Sequence, residues 1–191
     1  METARILLVE DDAFSRVALS GALSNRKLNV VAAAGTASEA IAYQNEYSPN
    51  VAICDLDLGV GPNGIDVANI LRKHNPNIGI ILLTSYKDPR LAGTDIAPLP
   101  AGAILLNKSE LQSISILVLQ IKVALESPLK KRNSDWSKSG NFQALSRNQI
   151  DILIQVAEGI TTNEIAANKG VSPQAIEKTL NRICKKLEIP T

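Results

Sequence analysis

Short apolar runs recur through the first two thirds of the chain, at 5–9, 29–34, 51–54, 78–83 and 103–106. They are rich in Ile, Val and Leu and show no strict alternation with polar residues. A strand with one wet face alternates, whereas a parallel strand covered by helices on both faces does not. Between the runs the spacing becomes helical. Residues 13–24 place Val17, Leu19 and Leu23 on one face, and 36–47 opens on Thr36-Ala-Ser-Glu39, a capping-box pattern. Residues 64–74 turn Ile65, Ala68, Ile70 and Leu71 inward, and Pro76 forbids continuation. A last helix over 109–125 carries Leu111, Ile114, Leu117, Val118, Ile121 and Leu125 at helical spacing. The pattern predicts an α/β domain, a five-stranded parallel doubly wound sheet with helices on both faces. Residues 86–100 break it with three prolines and a glycine, so only a short helical turn near 89–92 is expected there.

The pattern changes again after 126. Residues 127–144 are polar, basic and turn-rich, which reads as a linker, with Trp136 anchoring it to one domain. Beyond it the signals are purely helical. Ser146-Arg-Asn-Gln149 is a capping box ahead of Ile150, Leu153, Ile154 and Ala157, and Gly159 ends that helix. A short helix over 161–168 buries Ile165 and Ala166, and Gly170 supplies a turn. Ser172-Pro173, an N-cap followed by proline at the first helical position, opens a third helix running to about 187. The domains read as 1–126, a linker over 127–144, and a small all-α domain over 145–191.

Composition adds bounds. Only 6 of 191 residues are aromatic, so aliphatic side chains must fill the core. No apolar run approaches the roughly 20 residues of a membrane span, and the N-terminus lacks a secretory layout. Membrane partners are therefore not expected. Cys54 and Cys184 show no metal-ligand spacing, which fits a reducing cytoplasm and argues against zinc chemistry. Residues 1–126 carry 10 Lys/Arg against 13 Asp/Glu, and residues 127–191 carry 10 against 6. An acidic first part and a basic second part suggest two modules with different partners.

Candidate chemistry starts with Asp55, a carboxylate at the end of a buried apolar run. A carboxylate there is costly unless something pairs with it. In a doubly wound sheet ligands bind at the carboxyl ends of the strands. Those ends here carry Glu10-Asp11-Asp12, Asp55, Thr84-Ser85 and Asn107-Lys108. Clustered carboxylates require a cation, and oxygen ligands without histidine suit a hard ion such as Mg2+. An aspartate flanked by a divalent ion and a lysine can attack phosphorus.

The series VEDD, VAICDLD, ILLTS and ILLNK resembles the receiver domain of bacterial two-component response regulators, over about residues 4–126. The resemblance implies a flavodoxin-like receiver sheet in which Asp55 is phosphorylated by a sensor histidine kinase. It implies Mg2+ held by Glu10, Asp11, Asp55 and the backbone carbonyl of Asp57, and a phosphoryl group bound by Thr84 and Lys108. Some positions depart from the family. Gly59 stands where a proline is common, Ser109 follows the lysine, and Leu105 occupies a position often held by a switching Tyr or Phe. Asp57 is an alternative acceptor, and paired with Asp55 it also allows a metal-dependent phosphohydrolase.

The segment from Leu145 to Ile189 resembles the LuxR-type helix-turn-helix domain that ends many response regulators. The likeness lies in the apolar spacing, Glu158-Gly159, Asn163-Glu-Ile-Ala166 and the closing Ile183-Cys-Lys-Lys-Leu187. It implies that the helix from Ser172 enters the DNA major groove and presents Gln174, Glu177, Lys178, Asn181, Arg182 and Lys185. Lysine and arginine there can neutralise phosphates, and glutamine and asparagine can read base edges. Glu177 replaces a basic or hydroxyl residue usual in the family. The expected protein is a transcriptional response regulator that dimerises on activation and catalyses only its own phosphoryl transfer and loss. The alternative is a phosphorylation-controlled interaction module whose helical domain does not bind DNA strongly.

Overall fold

The computed structural model describes residues 3–59, 61–85, 98–111, 113–130 and 145–187. The turn expected at 89–92 and the linker beyond 130, with Trp136, lie outside these residues. The described chain divides into two compact units, 3–85 with 98–130 and 145–187.

The first unit alternates strand and helix: β1 (Arg5–Val9), α1 (Ala13–Ser24), β2 (Asn29–Ala34), α2 (Ala37–Tyr47), β3 (Val51–Asp55), α3 (Gly64–His74), β4 (Gly79–Thr84), β5 (Ile104–Asn107) and α4 (Ile114–Glu126). All strand pairings are parallel, in the order β2-β1-β3-β4-β5. Every residue of β3 and β4 is buried, as their unbroken apolar runs require. One core layer joins Ile6, Leu8, Ile53, Ile81 and Leu83 to Leu23 of α1 and to Leu117, Ile121 and Ala124 of α4. Two glycines permit close approach of helices to the sheet. A Cβ on Gly64 would lie 1.8 Å from the carbonyl oxygen of Asp55, and one on Gly79 would lie 2.6 Å from that of Ala124.

The element bounds shift at strand ends. β3 and β4 extend through Asp55 and Thr84, so both polar residues belong to the ladder rather than to the turns beyond it. The last helix of this unit begins five residues later than expected. Asn107 caps a 3-10 turn over Lys108–Glu110 that precedes it, accepting from the Ser109 backbone at 2.8 Å and from its hydroxyl at 2.6 Å. Thr36 does cap α2, but Glu39 completes only half of a capping box, since its carboxylate accepts from Gly35 rather than Thr36. Val17 is 72% exposed, beside Phe14 at 83%, so α1 packs through Leu19 and Leu23 without it. In α3, Val67 is buried where Ile70 was expected. In α1 and α3, then, the side chains that pack are not all those that helical period alone selects.

The second unit consists of α5 (Arg147–Ala157), α6 (Thr162–Lys169) and α7 (Pro173–Leu187). Ser146 with Gln149 and Thr161 with Glu164 form full capping boxes. Gly170 ends α6 at φ 64°, the left-handed conformation glycine adopts without strain. Ser172 accepts from the Ala175 backbone at the start of α7. The core is small. Ile152, Ile165, Ala166 and Ile176 form one cluster, and Leu145, Ile150 and Ile183 another, with Leu180 touching both. Ile150, Leu153 and Ile154 pack as the α5 spacing suggested, whereas Ala157 is exposed and Ile152 is buried in its stead. Asp151 and Asn148 of α5 accept from Lys169 of α6, an ion pair that ties the two helices together.

Candidate functional site

The site assembles at the carboxyl edge of the sheet. β1 delivers Glu10, whose backbone N–H donates to Ala34 and so continues the β1–β2 ladder by one residue. β3 delivers Asp55, and β5 feeds the turn that begins with Lys108. Residues separated by 98 and 53 positions then touch. The Lys108 ammonium donates to Oε2 of Glu10 at 3.0 Å and to Oδ2 of Asp55 at 2.8 Å. Both carboxylates are buried, with side chains 4% and 8% exposed.

The electrostatics follow from this placement. Burial raises the Glu10 carboxyl above its ordinary 4.5, and the Asp55 charge adds to the effect while Lys108 opposes it. Burial works against the Lys108 charge, but its hydrogen bonds to Asp55 and Glu10 prevail and hold the ammonium above its ordinary 10.5. Cys54, one residue before Asp55 and fully buried, has its thiol pushed up to about 12 by burial and then by the aspartate charge.

Asp11 completes the group. Its carboxylate and those of Glu10 and Asp55 offer oxygens within 4.8 Å of one another. All three donors are oxygens, and two are buried among charges that a single lysine cannot fully offset. That donor set fits a hard divalent ion such as Mg2+. Asp12 is diverted from the group, because it caps α1 and accepts from the Ser15 backbone at 2.7 Å. Gly59 closes the loop after β3 over Asp11. Its φ is 69°, and a Cβ there would stand 3.2 Å from Oδ2 of Asp11. Proline, fixed near −65°, could not adopt that backbone, so this departure is a conformational choice of the loop.

Thr84 ends β4, 2% exposed and in register with Asn107, the residue before Lys108. Asp57 is exposed beyond the strand and accepts from the Gly59 backbone at 3.4 Å. Leu105 lies half-buried in β5, one strand position after Ile104. Arg16 of α1 escaped the sequence reading. Its guanidinium donates to the backbone carbonyls of Glu10 at 2.6 Å and Asp11 at 3.0 Å. A single arginine on a helix reads as solvated surface, and no local pattern marks it.

In the second unit the six residues expected on one helix face are all exposed: Gln174, Glu177, Lys178, Asn181, Arg182 and Lys185. The opposite stripe of α7, Ile176, Leu180, Ile183 and Leu187, packs into the helical core. The face thus follows from which side of α7 is buried.

Residues 6–103 match the response regulator receiver domain. The chain belongs to the response regulator family. Its second unit lies within a match over 143–191 to the luxR family of bacterial regulatory proteins. The response regulator VraR of Staphylococcus aureus is 25% identical over 195 residues, spanning 98% of this chain and 91% of VraR. Among solved structures, RcsB of Salmonella enterica serovar Typhimurium bound to a promoter with a phosphomimetic superposes with a TM-score of 0.57 at 20% identity, covering 99% and 94% of the two chains. An RcsB–DNA complex gives 0.62 at 20%, covering 100% and 94%. The receiver domain of PhyR from Erythrobacter litoralis gives 0.54 at 22%, covering 66% of this chain and 92% of that domain. These likenesses establish the receiver fold followed by a helical domain. With the two family matches they make this response regulator a transcriptional one, and they do not favour the interaction-module alternative.

Proposed function

We propose that this response regulator takes a phosphoryl group on Asp55 from a sensor histidine kinase and passes the signal to DNA through α7. The observation that carries the reading is the Lys108 ammonium bridging Glu10 and Asp55, with Asp11 close enough to share one cation. A buried carboxylate needs some partner, but two of them sharing one lysine beside a third acid form the set of opposed charges that lets an aspartate accept a phosphoryl group.

Glu10, Asp11, Asp55 and the backbone carbonyl of Asp57 would hold Mg2+, which would offset the charge of the incoming phosphoryl group. Asp55 supplies the carboxylate oxygen that forms the new O–P bond while the donor's P–N bond breaks. Lys108, already hydrogen-bonded to Asp55, moves to the phosphoryl oxygens, and the Thr84 hydroxyl donates to them. The exchange replaces one set of contacts with another, and only such differences can shift the equilibrium between two forms of the protein. Leu105 in the position of the family's frequent aromatic implies a readout that does not depend on a ring.

The domains work as receiver 1–126, linker 127–144 and effector 145–191. Gln174, Glu177, Lys178, Asn181, Arg182 and Lys185 form the DNA-facing surface, and activation favours a homodimer, as with the RcsB dimers seen on DNA. The protein acts as a regulator whose own chemistry is confined to gaining and losing its phosphoryl group. A cytoplasmic location fits this role, and among the described residues no helix is long and apolar enough to cross a membrane. Radiolabelling from a small-molecule phosphodonor tests the reading. The wild type takes up label in the presence of Mg2+ and Asp55→Asn does not; stoichiometric labelling of that variant would refute it.

A further inference from the structure

Arg16 sits behind the acid cluster rather than in it. Its guanidinium donates through Nη1 to the carbonyls of Glu10 and Asp11, the two residues whose carboxylates flank Asp55. It also lies against Gly35, at the end of β2. A Cβ on Gly35 would stand 3.0 Å from Nη1 and 3.3 Å from the guanidinium carbon. Gly35 is not among the residues with positive φ, so its backbone would accept a side chain. A side chain there would press on the Arg16 guanidinium and shift it by a few tenths of an ångström. The Gly35 backbone N–H is itself fixed at 2.7 Å by Glu39, so the wall behind Arg16 cannot easily retreat.

We infer that Arg16 is a positioning residue of the cation site, pinning the Glu10–Asp11 backbone so that both carboxylates face Asp55, with Gly35 kept side-chain-free to seat it. The inference rests on the cation reading given above. Its physical basis is the Nη1 amino group, whose two charged N–H donors are held in the guanidinium plane, so that one nitrogen reaches both carbonyls in a fixed direction that a freely rotating lysine ammonium does not impose. Groups that orient ligands from behind alter cation affinity by roughly 10–100-fold when removed. Arg16 touches no carboxylate oxygen of the cluster in the described contacts, so it acts through the ligands' main chain.

Calorimetric titration of the full-length protein with MgCl2 tests this, alongside melting temperatures measured without the metal. Arg16→Gln is expected to weaken Mg2+ binding at least about tenfold, and Arg16→Lys to restore only part of the loss. Gly35→Ala should weaken binding when Arg16 is present and change nothing in the Arg16→Gln background, a non-additive pair. Unchanged affinity in Arg16→Gln overturns the inference. So does full rescue by Arg16→Lys, which would make charge alone sufficient, or an equal Gly35→Ala effect in both backgrounds. Should Arg16→Gln fail to fold, the comparison is with wild type: weakened Mg2+ binding in both Arg16→Lys and Gly35→Ala supports the inference, and wild-type affinity in either overturns it. Failure of the wild type itself to bind Mg2+ would remove the cation reading first and this inference with it, whereas a binding wild type with an unaffected Arg16→Gln removes this inference alone.

Discussion

The receiver and the helical domain build their working surfaces in opposite ways. In the receiver, Glu10, Asp55 and Lys108 come from three separate strand ends and touch one another in a buried setting. In the helical domain, six side chains lie on one exposed face of α7 and owe their position to the buried stripe behind them. A buried cluster of charges is a coupled system, where removing one member leaves another uncompensated. An exposed helix face approximates a sum of independent contributions. The same substitution should therefore have different consequences in the two domains.

Gly→Ala exchanges give the largest contrast. Gly64→Ala drives a Cβ into the Asp55 backbone and is expected to cost about 3 kcal/mol or more by denaturant unfolding. Gly170→Ala meets no atom within 4 Å and bears only the strain of a positive φ, about 1–2 kcal/mol. Equal losses would erase the distinction between steric and conformational glycine.

Next in size is coupling within the site. Asp55→Asn and Lys108→Gln should be non-additive in metal-free stability by about 1–2 kcal/mol, measured as a double-mutant cycle. On α7, Lys178→Ala and Arg182→Ala should each lower the slope of log affinity against log salt by about 1, and their effects should sum. Coupling on α7 as strong as in the receiver site would contradict the comparison.

The smallest effects concern the α6 cap. Thr161→Ala should cost about 1 kcal/mol in thermal unfolding of the helical domain. Its partner Glu164 is held below its ordinary 4.5 by hydrogen bonds from the Thr161 side chain and backbone. A depressed folded value means that the carboxylate's contribution is present above the unfolded value and lost as pH falls through the folded one. The melting difference between wild type and Glu164→Gln should accordingly shrink on acidification below about 4.5.

What could be read from sequence also differs between the two regions. The parallel sheet and the convergence of Glu10, Asp11, Asp55 and Lys108 followed from short non-alternating apolar runs, because parallel sheets place all their carboxyl ends on one edge. The exposed face of α7 was expected from the LuxR-type resemblance, and the burial of Ile176, Leu180 and Ile183 on the other side agrees with it. Packing details were not legible. Val17 fits an apolar face by period, but α1 packs through Leu19 and Leu23 and leaves it exposed. The 3-10 turn at Lys108 depends on an Asn107–Ser109 pairing that competes with helix formation locally. Arg16 was invisible because its partners are backbone carbonyls, which carry no sequence signal.

The central claim is that one aspartate, made receptive by its neighbours, is the phosphoryl acceptor. Mass-spectrometric mapping of the full-length chain after Mg2+ and a small phosphodonor, with the acyl phosphate trapped by borohydride, tests it directly. The account predicts a single modified position, Asp55, that disappears when the metal is chelated. Modification at Asp57 instead, or at Asp55 without any need for a divalent ion, would contradict it.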